Sequence, residues 1–77
     1  MPVLELVKWR DAYNDGESWK DEKDIDDQHY LVTSVGFVVK ETENNLTLAM
    51  DIGEDGMTNT RGRIPKGMIV SRTVIVL

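Results

Sequence analysis

Residues 30–52, YLVTSVGFVVKETENNLTLAMDI, decide the fold. Two apolar runs rich in β-branched residues flank a polar tip carrying Asn44 and Asn45, which is the pattern of a β-hairpin whose turn residues tolerate positive φ. In the second run, Leu46, Leu48, Met50 and Ile52 fall on one face and Thr47, Ala49 and Asp51 on the other, so one face meets the core and one meets water. The first run is longer. Leu31, Val35, Phe37 and Val39 share a face, Val32 and Val38 take the opposite one, and Gly36 between them permits a bulge or sharp bend.

Working outward, the chain of 77 residues is one domain, near the size at which a single core is barely sufficient. It has no cysteine and one histidine, which excludes a disulfide framework and thiolate zinc ligation. With neither staple available, a homo-oligomer is a reasonable expectation. The start, MPVLELVKW, lacks a secretory pattern and no apolar run reaches membrane-spanning length, so a cytosolic location without membrane contact is expected. Asn45-Leu46-Thr47 matches a glycosylation sequon and is read as chance.

The net charge of −5 argues against general nucleic-acid binding, which depends on lysine and arginine neutralising phosphates. Its distribution is uneven. Residues 1–55 hold all 14 acids, whereas residues 56–77 hold Arg61, Arg63, Lys66 and Arg72 and no acid. The split fits an anion site at the C-terminal end, or two segments that neutralise each other within one fold, and the second reading is favoured.

Taken in order, Val3 to Trp9 forms a first strand. Residues 11–28, DAYNDGESWKDEKDIDDQ, then make a long acidic loop. Trp19 within it either caps the core, the favoured role, or stays exposed beside Tyr13 as a partner contact. Asp24, Asp26 and Asp27 read as a solvated acidic cluster. A calcium loop from Asp51 is rejected because its twelfth position is Gly62 where a bidentate Glu is required. His29 has no nucleophile beside it and reads as a strand-end residue. After the hairpin, DIGEDGMTNT is a turn, Thr60 to Ile64 a fourth strand, and Pro65-Lys66-Gly67 a tight turn or single turn of 3₁₀ helix. Met68 to Leu77, MIVSRTVIVL, is a final strand expected to pair with the first.

The expected fold is therefore all-β: a five-stranded SH3-like small barrel with a long acidic loop after the first strand and a 3₁₀ turn before the last. The layout resembles that of SH3-like barrels, without the ALYDY-like segment and paired Trp of proline-peptide binders. KWRDAY, SVGFVVKET and RIPKGMIV also resemble the W-x-D, VG-aromatic and IP-K/R-G elements of short, uncharacterised bacteriophage open reading frames. This resemblance implies a phage accessory protein made in a bacterial cytoplasm, and implies no activity or site residues.

Since general acid–base or nucleophilic work needs a positioned pair and no such spacing is visible, the expectation is a non-enzymatic binding module without cofactors. In its leading form, an oligomeric sponge sequesters an anionic small molecule, such as a signalling nucleotide in host defence. Arg61, Arg63, Lys66 and Arg72 would grip phosphate and Trp9 or Trp19 would stack on a base. In the alternative form, Trp19, Tyr13, Asp24, Asp26 and Asp27 occupy a basic surface of a host protein.

Overall fold

The computed structural model describes residues 2–11, 19–24 and 30–77. Five strands, β1 (Leu4–Asp11), β2 (Tyr30–Glu41), β3 (Asn45–Ala49), β4 (Arg61–Pro65) and β5 (Ile69–Val74), form one antiparallel sheet in the order β4-β3-β2-β1-β5. Short 3₁₀ turns occupy Glu22–Asp24 and Lys66–Met68. The final strand pairs with the first, Glu5 opposite Val74 and Val7 opposite Arg72. The hydrogen-bonded ladder is open, because β4 and β5 are its two edges and the Lys66–Met68 turn joins them in place of a closing ladder.

The sheet nevertheless curls strongly. Val7 of β1, Leu46 and Leu48 of β3 and Ile64 of β4 form one buried cluster, with Trp9, Val38 and Ile69 packed against it. In a flat sheet β1 and β4 would lie about 14 Å apart, at three spacings of roughly 4.8 Å. Side chains touch only within about 4.5 Å, so the sheet must fold its β1 side over β3 and β4. Two local features produce the bend. A Cβ added at Gly36 would sit 3.0 Å from both the Ala49 carbonyl oxygen and the Leu48 Cβ, so any other residue here would push β3 back by a few tenths of an ångström. The register also shifts between Val38 and Lys40: Val38 faces Leu48 while Lys40 faces Thr47 and Glu41 faces Leu46, leaving Val39 as the extra residue of a β-bulge.

That bulge sets the direction of the next side chains. Cross-strand partners share a face, and Leu46 and Leu48 are both buried, so Val38 and Glu41 point inward although they are three residues apart. Strict alternation would have placed Lys40 opposite Leu46 and Glu41 outside. The bend expected at Gly36 is thus divided between a close approach there and a bulge three residues later.

The hairpin turn differs from its expectation. No described non-glycine residue has positive φ. Instead the Thr42 N–H donates to the Asn45 carbonyl at 2.9 Å and the Asn45 N–H donates to the Thr42 hydroxyl at 3.1 Å, so a threonine side chain closes the turn. Among the described residues, the one in the left-handed region, Gly56 at φ 85, lies in the β3–β4 connection. There the Asp51 and Asp55 carboxylates accept the N–H groups of Asn59 and Met57, each at 3.0 Å. Met50, expected on the core face, lies past the end of β3 and is exposed.

Candidate functional site

The four basic residues of the C-terminal segment separate into two pairs. Arg72 lies opposite Val7 on the inner face of β5, where the side chain is about a third exposed. Its Nε and Nη2 donate to the two carboxylate oxygens of Glu5, each at 2.8 Å, and Nη1 and Nη2 donate to Glu41 at 2.9 and 3.0 Å. Lys66 reaches the same Glu41 at 2.6 Å. Glu5 is buried, with 6% of its surface exposed, and the forked guanidinium satisfies both its oxygens as a desolvated carboxylate requires. Hydrogen bonds from Arg72 first, then from Lys66, push the Glu41 carboxyl down to about 2. The same carboxylates, Glu5 ahead of Glu41, raise Arg72 above its ordinary value. Lys66 and Arg72 are therefore engaged within the fold, tying β1, β2, β5 and the 3₁₀ turn together.

Arg61 and Arg63 are placed differently. They alternate with Gly62 and Ile64 on β4, and since Gly62 and Ile64 face Leu48 and Leu46, the two arginines project from the outer face. Arg63 pairs with Thr47, which pairs in turn with Lys40, so Lys40, Thr47 and Arg63 form one row across β2, β3 and β4. Arg61 is held at the next row by bonds of 2.9 Å from Nη1 to the Thr58 carbonyl and hydroxyl. Among the described residues, Lys40 and Arg63 make no ion pair or side-chain hydrogen bond.

These three cations line a surface cleft of about 620 Å³ with Thr47, Thr58 and Ile52. Arg61 and Arg63 also border a second cavity, of about 340 Å³, on the other side of β4, together with Trp9, Ser34 and Met50. Trp9 is half-buried and its indole N–H donates to the Ser34 hydroxyl at 3.0 Å, which fixes the ring against the core. β4 thus lies between a cationic cleft and an aromatic-lined cavity, and Arg61 and Arg63 border both.

The backbone adds to this arrangement. Met50 N–H donates to the Thr60 carbonyl and Lys66 N–H to the Asn44 carbonyl. In an antiparallel ladder the bonded pairs alternate, which assigns Leu48–Gly62 and Leu46–Ile64 to bonded positions and turns the backbone groups of Arg61 and Arg63 away from β3. An anion at this edge meets amide donors as well as guanidinium groups.

No family model, curated protein or solved structure matches the chain. Among the described residues, no group of three His, Asp or Glu side chains is placed to hold a metal ion. No helix among them is long and apolar enough to cross a membrane.

Among the described residues of the segment expected to form the acidic loop, Trp19 is fully exposed, at 102%, so it does not cap the core as expected. Asp24 is exposed at the end of the Glu22–Asp24 turn, and Lys23 pairs with Asp21 at 4.0 Å. Tyr13, Asp26, Asp27 and His29 lie outside the described residues. Lys40 was not among the expected site residues because its outward position depends on the bulge at Val39. Glu5 and Glu41, the partners of Arg72, carry no sequence signal beyond an acid in an otherwise apolar strand and an acid at a strand end.

Proposed function

We propose that this chain is a non-enzymatic binding module that captures an anionic small molecule by occupancy. Arg61, Arg63 and Lys40 hold the anionic groups, and Trp9 lines the space for a planar one. The observation that carries this reading is the shared position of Arg61 and Arg63, which border both the cationic cleft and the Trp9 cavity. A phosphate ester joined to a ring system, as in a nucleotide, has both chemistries within one molecule. Lys40 and Arg63 lack carboxylate partners among the described residues although the chain carries −5 overall, which leaves their charge available to a ligand.

The SH3-like small barrel belongs to the same proposal. Strand order, the 3₁₀ turn before β5 and the curl that packs β1 over β4 support it. A phage-type accessory protein, removing a signalling nucleotide from a host defence pathway in the bacterial cytoplasm, is the biological setting this reading fits.

Isothermal titration of the folded chain against mono-, di- and cyclic dinucleotides tests it. Saturable heat is expected from at least one of them, weakened about tenfold or more in Arg61→Ala/Arg63→Ala, since each lost charge-assisted bond is worth roughly 1.5–3 kcal/mol. Absence of heat across the panel would end this reading. A second reading, in which the acidic segment occupies a basic surface of a host protein, is favoured by one observation, the complete exposure of Trp19 among acids. It predicts a protein partner in bacterial lysate that is lost on Trp19→Ala.

A further inference from the structure

The two edges of the sheet are built differently. On β4, Arg61 and Arg63 flank Gly62 and the strand ends at Pro65, and exposed charge and proline are the usual devices that keep an edge from pairing with another chain. On β5, IVSRTV, the single charge is Arg72, whose guanidinium is turned inward to Glu5 and Glu41. Val70 and Val74 are more than half exposed, and Val76 beyond them more so.

The backbone of β5 is also available. Ile75 N–H donates to the Leu4 carbonyl at 2.8 Å. Alternation then assigns Leu6–Thr73 and Lys8–Ser71 to the bonded positions and turns the donors and acceptors of Arg72 and Val74 outward. Among the described residues, no strand pairs with this side.

We propose that a second copy of the chain adds its own β5 to this edge, antiparallel, with Thr73 on the two-fold axis. This register sets Arg72 opposite Val74 at the bonded positions, faces Thr73 with its own copy, and keeps the two Arg72 residues from facing each other. Three observations favour a second copy over another partner. The strand presents no outward charge to attract an acidic or basic peptide. The described core contains only Val7, Leu46, Leu48, Ala49 and Ile64 as buried apolar residues, too few to make a monomer of this size comfortable. An isologous β5–β5 pair also consumes both bare edges and leaves only the guarded β4 edges outside, so assembly stops at the dimer. An edge contact of this length buries less than the ~1,600 Å² of a standard interface, which places association at about micromolar concentrations.

Sedimentation of the full chain from about 1 μM to 1 mM is expected to show the mass rising from 8.8 kDa to twice that value. Val74→Lys should melt as the parent does at concentrations where both are monomers, yet need at least tenfold more protein to associate. Because the chain contains no cysteine, Thr73→Cys adds a single thiol that should oxidise to a covalent dimer, since directly opposed strand residues meet disulfide spacing. Ser71→Cys, off the axis, should not. A monomer throughout the range overturns the proposal, and so does a dimer indifferent to Val74→Lys or cross-linked equally through Ser71→Cys. The two cysteine variants decide the matter even where Val74→Lys fails to fold.

Discussion

Replacing Arg72 with alanine isolates the interaction that ties the ends of the chain to its middle. Arg72 makes two bonds of 2.8 Å to Glu5, which is 6% exposed, and two more to Glu41, whose side chain is 38% exposed. In Arg72→Ala the Glu5 carboxylate stays buried with neither oxygen satisfied by a cation. Removing one partner of a fully buried pair costs about 3–5 kcal/mol. The Arg72 side chain is 31% exposed, so water reaches part of the gap, and a loss of roughly 2–3 kcal/mol is expected after that discount. For a domain of this size each kcal/mol moves the melting temperature by about 4–8 °C, so the transition should fall by roughly 10–20 °C in a circular dichroism melt. The double variant Glu5→Leu/Arg72→Leu should recover much of that loss, because an apolar pair carries no desolvated charge. An Arg72→Ala chain melting within about 3 °C of the parent, a shift below ~1 kcal/mol, would refute the reasoning.

Other expectations follow from the same geometry. The Glu41 carboxyl is depressed from 4.5 to about 2, so its contribution to stability is complete above pH 4.5 and is lost as pH falls towards 2; acid titration followed by circular dichroism should show this component, and Glu41→Gln should lack it. Gly36→Ala places a methyl 3.0 Å from a backbone oxygen and the Leu48 Cβ and should cost about 1–3 kcal/mol in urea unfolding, whereas an unchanged midpoint would mean that β3 does not approach as described. Trp19→Ala should leave stability within about 0.5 kcal/mol, and the Trp19 fluorescence should be that of a water-exposed indole.

The parts of the fold governed by local pattern were legible in the sequence. Alternating Leu46 and Leu48 identified the buried face of β3, the Pro65-Lys66-Gly67 break marked the 3₁₀ turn, and the apolar run after Met68 pointed to a strand paired with β1. Features that depend on register were not. A single unpaired residue at Val39 reverses the facing of Lys40 and Glu41, and period-2 reasoning contains no signal for where such a residue falls. The candidate site divides along the same line. The alternation of Arg61 and Arg63 on one strand is readable in the sequence, whereas the cavity they border together with Trp9 is not. Lys66 and Arg72 are equally basic in the sequence, and only the three-dimensional positions of Glu5 and Glu41 show that their charge is already matched. The size of an indole favours Trp19 as a cap on a small core, yet seven of the eight acids of residues 11–28 lie within residues 15–27, and charged neighbours draw a side chain towards water.

The unpaired residue of β2 separates two properties that a strand usually fixes together. Because Val39 has no partner on β3, a chain lacking it would slide into continuous registry with Val38, Lys40 and Glu41 all looking the way they look now. What such a chain would lose is arc: the local coil that carries the first strand over the fourth. By standing outside the ladder, Val39 lets β2 hold one extra residue without turning Lys40 and Glu41 over, and that residue supplies curvature.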